Sequence, residues 1–320
     1  MTQHLQNLTV IGAGVLGGQI AWHSAFKGKT VVLYDMYAQA LTKAQEIHDR
    51  YAEMYVAQLG ATEAEIAATR SRLSYCAQLA SAVAQAELVI EAVPEVPEIK
   101  NALYTELAPL LPEKTLVATN SSTLLPRDFA QATGRPAKFC AMHFANMIWT
   151  MNVLEIMAHE GTARETLEAV TTFAIDIGQV PVPVRKEQNG YLLNTWNVAL
   201  LTAAQALVTN GVGTPEDVDR TFLICNRGAP LGPMGMIDMI GIKTAYDVSM
   251  YWGTVKNDAQ MLANAAYLKE HFLDKGLQGM LGGQGYYSYP NPAYADPAFL
   301  AVPDHSAAKE IARLADLKSN

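Results

Sequence analysis

The sequence predicts an α/β fold: a doubly wound parallel sheet with a helical arm inserted, followed by an all-α C-terminal domain. Three observations lead there. Short apolar runs alternate with helical stretches through the first half, glycines 12, 14, 17 and 18 follow the first of those runs at once, and strand signals fade after Val180-Pro-Val-Pro183. Leu8–Ile11 reads as the first strand and Val31–Tyr34 as the second, ending at Asp35. Leu88–Ile90, Leu116–Ala118 and Phe139–Met142 are further strands, each preceded by a segment of helical period or helix-friendly composition. Strands that alternate with helices pair in parallel through right-handed crossovers. The stretch between Asp35 and Leu88 is rich in Ala, Glu and Gln, has helical period, shows no strand signal and is too long for one crossover helix. It is expected to form the arm.

The two prolines at 181 and 183 force an extended path, and the chain is divided there into domains 1–185 and 186–320. Tyr191–Val208 reads as almost unbroken helix, stopped by Asn210-Gly211; turns at Gly228-Ala-Pro, Leu231-Gly-Pro and Gly282-Gly-Gln-Gly punctuate a mostly helical remainder. The 320 residues suffice for two domains of roughly 150 each, and 50% hydrophobic against 17% charged residues marks a folded chain. Net charge is −8 and no basic block could track a phosphate backbone, so nucleic acid is not an expected partner. Cys76, Cys140 and Cys225 show no C-x-x-C spacing, which argues against a disulfide framework or a metal site and fits a reducing compartment. Met1–Asn7 holds no Lys or Arg, and the apolar stretch after it breaks at Gly12 and Gly14, so neither a signal peptide nor a membrane span is expected. A cytoplasmic protein is the expectation.

Gly12-Ala-Gly14-Val15-Leu16-Gly17 is a G-x-G-x-x-G segment between a strand and an amphipathic helix, and Asp35 ends the following strand. That layout is what a Rossmann-type dinucleotide site requires. Gly12 permits the tight turn, Gly14 lets backbone approach a pyrophosphate, and Gly17 lets helix and strand pack closely. Val15 and Leu16 open a helix whose unpaired N–H groups face the phosphates. Asp35 would accept hydrogen bonds from the adenosine ribose and repel a 2′-phosphate, which favours NAD over NADP.

Carbonyl chemistry on such a cofactor needs a proton donor and dipoles that stabilise an alkoxide. Of seven histidines, His4, His48, His159, His271 and His305 stand in polar or terminal contexts, and His23 lies on the first helix. His143 follows the strand Phe139–Met142, at a C-terminal strand end where open sheets bind ligands.

From here the chain resembles the L-3-hydroxyacyl-CoA dehydrogenase family over nearly its whole length. The matching segments are Asn120-Ser-Ser-Thr-Leu124, His143-Phe-Ala-Asn-Met147, Val153-Leu-Glu155-Ile, Gly190-Tyr-Leu-Leu-Asn194, Gly232-Pro-Met-Gly-Met-Ile-Asp238 and Gly283-Gln-Gly-Tyr-Tyr287. The resemblance implies that His143 is the general acid for ketone reduction and base for alcohol oxidation, with Glu155 bonded to its far ring nitrogen. It implies that Ser122 and Asn194 donate to the substrate oxygen from either side of an interdomain cleft. Glu95, Lys100, Ser122 and Asn146 match positions that contact the cofactor or support the site.

The departures are as informative. Where the family has Asn-Pro-Val-Pro-Val-Met-Lys, this chain has Asn146-Met-Ile-Trp-Thr-Met-Asn152, and the family's lysine before the closing glycine motif is replaced around Leu281. No Lys or Arg occurs from Tyr51 to Thr69, on the arm where the family meets coenzyme A phosphates. Met147, Trp149 and Met151 are expected to offer apolar surface to a substrate tail. Together these features are similar to a diketoreductase branch of the family and imply NADH-dependent reduction of a β-keto or 3,5-diketo ester or acid. An ordinary L-3-hydroxyacyl-CoA (3-hydroxybutyryl-CoA) dehydrogenase is the alternative, and gulonate or carnitine dehydrogenases come third. A non-catalytic NAD-binding structural protein would be expected to have lost one of Ser122, His143, Glu155 or Asn194, and all four are present. The apolar length of Tyr191–Val208 predicts a homodimer.

Overall fold

The computed structural model describes residues 4–228 and 231–300; Ala229 and Pro230 of the turn expected after Gly228, and His305, lie outside them. The chain forms two compact units, Met1–Thr195 and Trp196–Asn320. No helix among the described residues is long and apolar enough to cross a membrane.

The first unit contains, in chain order, β1 (Asn7–Ile11), α1 (Val15–Phe26), β2 (Thr30–Tyr34), α2 (Ala38–Leu59), α3 (Glu63–Arg72), β3 (Leu73–Cys76), α4 (Leu79–Val83), β4 (Leu88–Glu91) and α5 (Pro97–Leu107). β5 (Leu116–Thr119), β6 (Phe139–Phe144), β7 (Val153–Met157), α6 (Arg164–Asp176) and β8 (Val180–Val184) follow. One sheet runs β3-β2-β1-β4-β5-β6-β7-β8. β4, β5 and β6 are buried throughout because helices cover both faces of a parallel sheet. The chain order reverses between β1 and β4, and the crevice beyond their C-terminal ends is where such sheets bind ligands.

Two departures from the expected sheet have physical causes. β7 is antiparallel to β6, because the short loop 145–152 cannot supply the crossover that a parallel neighbour needs. The 36–87 stretch is not all helix: α2 and α3 form the arm, but β3 follows and pairs in parallel with β2. Only Leu73 of this edge strand is buried, so no alternating pattern betrays it. The arm turns at Gly60, whose φ of +68° suits glycine, and α3 begins with a capping box between Thr62 and Glu65. β8 holds Pro181 and Pro183 on the opposite edge, where a missing N–H is tolerated.

The second unit is helical: most of α7 (Leu193–Thr209), then α8 (Pro215–Cys225), α9 (Pro233–Ile240), α10 (Ile242–Lys256) and α11 (Ala259–His271). Two buried carboxylates organise it. Asp238 accepts from the amides of Tyr286 and Tyr287 at 2.9 Å each and from the Tyr289 hydroxyl at 3.0 Å. Asp219 accepts from the Met234 and Gly235 amides and from the Tyr287 hydroxyl at 2.6 Å. A Cβ on Gly285 would lie 2.0 Å from Asp238 Oδ1, so the Gly-Gln-Gly-Tyr-Tyr segment needs its second glycine for this clasp.

His48, expected in a polar context, is fully buried. Its Nε2–H donates to the Gly18 carbonyl at 3.0 Å, and its Nδ1 accepts from the Tyr75 hydroxyl at 2.6 Å. His23 repeats the arrangement with Ile177 O at 2.9 Å and the Tyr55 hydroxyl at 2.7 Å. Burial outweighs the help of the carbonyls and lowers both pKa values to about 4. Each histidine is neutral in the fold and takes up a proton near pH 6.5 once unfolded. Its contribution is therefore complete above pH 6.5 and is lost as pH falls toward 4, at up to about 1.4 kcal/mol per pH unit. Urea unfolding should show stability falling between pH 6.5 and 5, above the usual carboxylate range, and His48→Gln should roughly halve that slope. A pH-independent unfolding free energy across this window would refute the account.

Candidate functional site

The glycine loop joins β1 to α1 at the sheet crevice. Gly14 caps α1 in an extended conformation with no side-chain cap, so the first-turn amides of Val15, Leu16 and Gly17 lack intrahelical partners. A Cβ on Gly12 would sit 2.6 Å from Ala92 O, and one on Gly17 1.9 Å from Gly12 O, whereas Gly14 meets nothing within 4 Å. The loop is thus closed on its protein side and open at Gly14, as a pyrophosphate cradle must be. Asp35 accepts from the Ala13 amide at 2.9 Å and from the Tyr37 amide at 2.9 Å. It fixes the loop while each oxygen keeps lone-pair capacity for a ribose hydroxyl. These residues fit a dinucleotide.

His143 lies near the end of β6, and β7 presents Glu155 directly opposite it in the register. His143 Nδ1–H donates to Glu155 Oε2 at 2.8 Å, which leaves Nε2 as the nitrogen able to exchange a proton with a ligand. The other carboxylate oxygen, Oε1, accepts from the amides of Leu192 and Leu193 at 2.8 and 2.9 Å, so it anchors the start of α7. Glu155 is only 1% exposed. Tyr191, at φ +54°, lays its ring 5.0 Å from the imidazole.

One helical position further along α7, Asn194 Nδ2 donates to the Ser122 carbonyl at 2.9 Å. Ser122 belongs to the 120–124 loop after β5, and Glu95 holds that loop. Glu95 Oε1 accepts from Ser121 Oγ (2.5 Å), the Ser122 and Thr123 amides (2.9 Å each) and Thr123 Oγ1 (3.0 Å). The Ser122 hydroxyl has no protein partner among the described residues. Lys100 Nζ sits 2.7 Å from Glu91 Oε1 and 3.3 Å from Glu95 Oε2. Burial disfavours the Lys100 ammonium, but Glu91 and Glu95 outweigh it and hold its pKa above the lysine norm. Burial likewise raises Glu95, and Lys100 with the Ser121 and Thr123 donors reverses this and holds the carboxyl below its usual range.

His143 with Glu155 and Asn194 with Ser122, Glu95 and Lys100 form two hydrogen-bonded groups within the first unit, joined through the backbone of Leu192–Asn194, and Gly12–Gly17 with Asp35 form a further cluster. Asn146 makes no hydrogen bond that joins it to either; its neighbour Met147 is held by Gln19 Oε1 at 2.7 Å. Sequence reasoning missed Glu91, Asn120 and Tyr191. Asn120 Oδ1 accepts from the Phe144 amide at 3.0 Å and ties the Ser122 loop to the His143 strand. An acid ending the apolar run Leu-Val-Ile-Glu91 was the available signal.

Trp149 stands differently from expectation. It is 8% exposed, its ring lies 5.5 Å and 5.4 Å from those of Tyr51 and Tyr55 on α2, and its indole N–H donates to Gln58 at 2.8 Å. Its surface is spent on the arm, so little remains for a substrate tail.

Residues 7–188 match the 3-hydroxyacyl-CoA dehydrogenase NAD binding domain, and residues 190–289 the C-terminal domain of the same enzyme family. The mitochondrial hydroxyacyl-coenzyme A dehydrogenase of Rattus norvegicus is 30% identical over 290 residues, covering 89% of this chain and 91% of that protein. A diketoreductase, described by substrate-directed dual catalysis of dicarbonyl compounds, has a solved structure that aligns with TM-score 0.78 at 42% identity, over 90% of this chain and 100% of that one. The (S)-3-hydroxybutyryl-CoA dehydrogenase of Ralstonia eutropha aligns with TM-score 0.73 at 26% identity, over 90% of this chain and 100% of that one.

Replacing Trp149 with alanine removes its packing against Tyr51 and Tyr55 and should cost about 3–5 kcal/mol of stability. Thermal denaturation should show a melting temperature several degrees lower. An unchanged melting temperature would mean that the aromatic contact contributes nothing.

Proposed function

Because the chain belongs to the 3-hydroxyacyl-CoA dehydrogenase family and is an NAD-dependent oxidoreductase, we propose that it reduces β-keto and 3,5-diketo esters or acids to hydroxy compounds. Gly12, Gly14, Val15, Leu16, Gly17 and Asp35 would hold the adenosine and pyrophosphate half of the cofactor, with Glu95, Lys100, Ser122 and Asn146 supporting the other half. Bound NADH supplies a hydride to the carbonyl carbon. His143 Nε2 then delivers the proton that the carbonyl oxygen acquires, and Glu155, 2.8 Å from Nδ1, stabilises the imidazolium beforehand. The Ser122 hydroxyl and the second N–H of Asn194 Nδ2 donate to the same oxygen and disperse its developing charge. In the reverse direction His143 takes the proton from the alcohol.

The observation that carries the substrate class is the arm. From Tyr51 to Thr69 it has no cation, and the basic residues that follow are engaged: Arg70 pairs with Asp49 at 2.7 Å, and Arg72 donates to Ala25 O at 3.4 Å. Lys43 and Arg50, both on α2, are the arm's other cations. A polyphosphate tail would gain little here, since an exposed ionic contact is worth up to about 1 kcal/mol. The 42% identity to a diketoreductase supports the same reading. A homodimer is part of the proposal. Val212 after α7, Ile224 on α8 and Val255 on α10 are exposed apolar side chains of the second unit. Sedimentation at micromolar concentration should show two copies, and a monomer would remove this part.

At fixed NADH, kcat/KM for a β-keto or 3,5-diketo ester should equal or exceed that for acetoacetyl-CoA. A preference of 100-fold for the thioester, about 2.7 kcal/mol, would replace this reading with an acyl-CoA dehydrogenase. Replacing His143 with glutamine should lower kcat by roughly 10² to 10⁴ while NADH affinity stays within a few-fold. Near wild-type turnover in that variant would mean that another group donates the proton.

A further inference from the structure

Glu91 ends β4 at the crevice where the strand order reverses. In the register it lies beside Ile11, the residue before the glycine loop, and beside Thr119, the residue before the Asn120–Leu124 loop. Its side chain is fully buried. Lys100 Nζ and the Val93 amide donate to Oε1 at 2.7 and 2.8 Å, and the hydroxyls of Tyr104 and Thr119 donate to Oε2 at 2.6 and 2.7 Å. All four partners are donors, which is the coordination an ionised carboxylate takes. Glu95 meets the same Lys100, so two carboxylates share one ammonium and the cluster carries one excess negative charge.

Holding two loops in place does not require that excess. A buried ionic cluster costs desolvation, and neutral hydrogen-bonding side chains could tie the same backbone together. The charge does have an electrostatic consequence at this location. The nicotinamide ring of the oxidised cofactor carries one positive charge more than the reduced ring, and a fixed charge acts strongly through a protein interior of low dielectric. We propose that the Glu91–Lys100–Glu95 cluster is an electrostatic bias at the cofactor crevice, which strengthens binding of NAD+ relative to NADH. Glu91 is then a positioning and charge-setting residue that acts through Lys100 and Glu95. The same field would favour positive charge on a bound nicotinamide ring.

The inference rests on NAD as the cofactor and needs no particular substrate, so it is tested without one. NADH binding is followed by its fluorescence, and NAD+ binding by competition, in the wild-type protein and in Glu91→Gln. Glutamine keeps the shape: its oxygen can accept from Lys100 and the Val93 amide, while its amide donates to the hydroxyls of Tyr104 and Thr119. The ratio of the NAD+ to the NADH dissociation constant should rise roughly 3- to 30-fold. Glu95→Gln, at a side chain 30% exposed, keeps an oxygen that can accept from the Ser122 loop and should raise the ratio in the same sense. Tyr104→Phe removes a hydrogen bond but no charge and should leave the ratio unchanged. A merely structural role would weaken both forms in parallel. A ratio within twofold of wild type in a folded carboxamide variant overturns the proposal, and if Glu91→Gln does not fold, Glu95→Gln alone decides it. Should the wild type bind neither form, the NAD premise itself fails, a result distinct from an unmoved ratio.

Discussion

Glu155 divides its carboxylate between two tasks, and the site depends on that division. One oxygen fixes the tautomer of His143; the other accepts the amides of Leu192 and Leu193, which no turn of helix precedes to satisfy. The register of an antiparallel strand pair sets the first bond and the start of α7 sets the second. Asn194 follows immediately, so the residue that orients His143 also fixes the position of the Asn194 side chain. The cost of burying this carboxylate is offset by three bonds, one to His143 and two to the start of α7.

The Ser122 loop is held on the same principle from the other side. Glu95 reaches across from the segment after β4 and gathers the amides and hydroxyls of residues 121–123 on one oxygen. The loop is therefore held by a carboxylate alongside the core packing of Leu124, and that carboxylate is linked through Lys100 to Glu91. Both halves of the constellation are preorganised by carboxylates, Glu155 on β7 and Glu95 in the segment after β4, the latter braced by Glu91 at the end of that strand.

Much of this was legible in the sequence because its cues were local. The glycine loop, Asp35 and the strand-end histidine are readable from spacing alone, since each needs only its own strand and the turn after it. Glu155, Ser122 and Asn194 entered through resemblance; nothing within ten residues of Glu155 announces that it faces His143. β3 was missed because an edge strand with one buried residue leaves no period-two pattern. Trp149 was misjudged because an indole in a loop looks the same whether it faces a ligand or an arm, and α2 closes on it from a distant part of the chain. His48 stands in a polar stretch of sequence yet is buried for the same reason: its partners, Gly18 and Tyr75, come from elements that only the fold brings together.

The two prolines of β8 bear on how copies of the protein meet. Val180 turns its amide toward β7, to Asn152 O, and alternate residues of a strand point their amides the same way. The amides of Val182 and Val184 therefore also face β7, and the outward positions 181 and 183 are the prolines. The outer edge of the sheet offers carbonyls but no N–H along the strand body, so a second strand could form at most half a ladder there. Crowded or partly folded chains are thereby denied a template at the end of the sheet nearest His143 and Glu155.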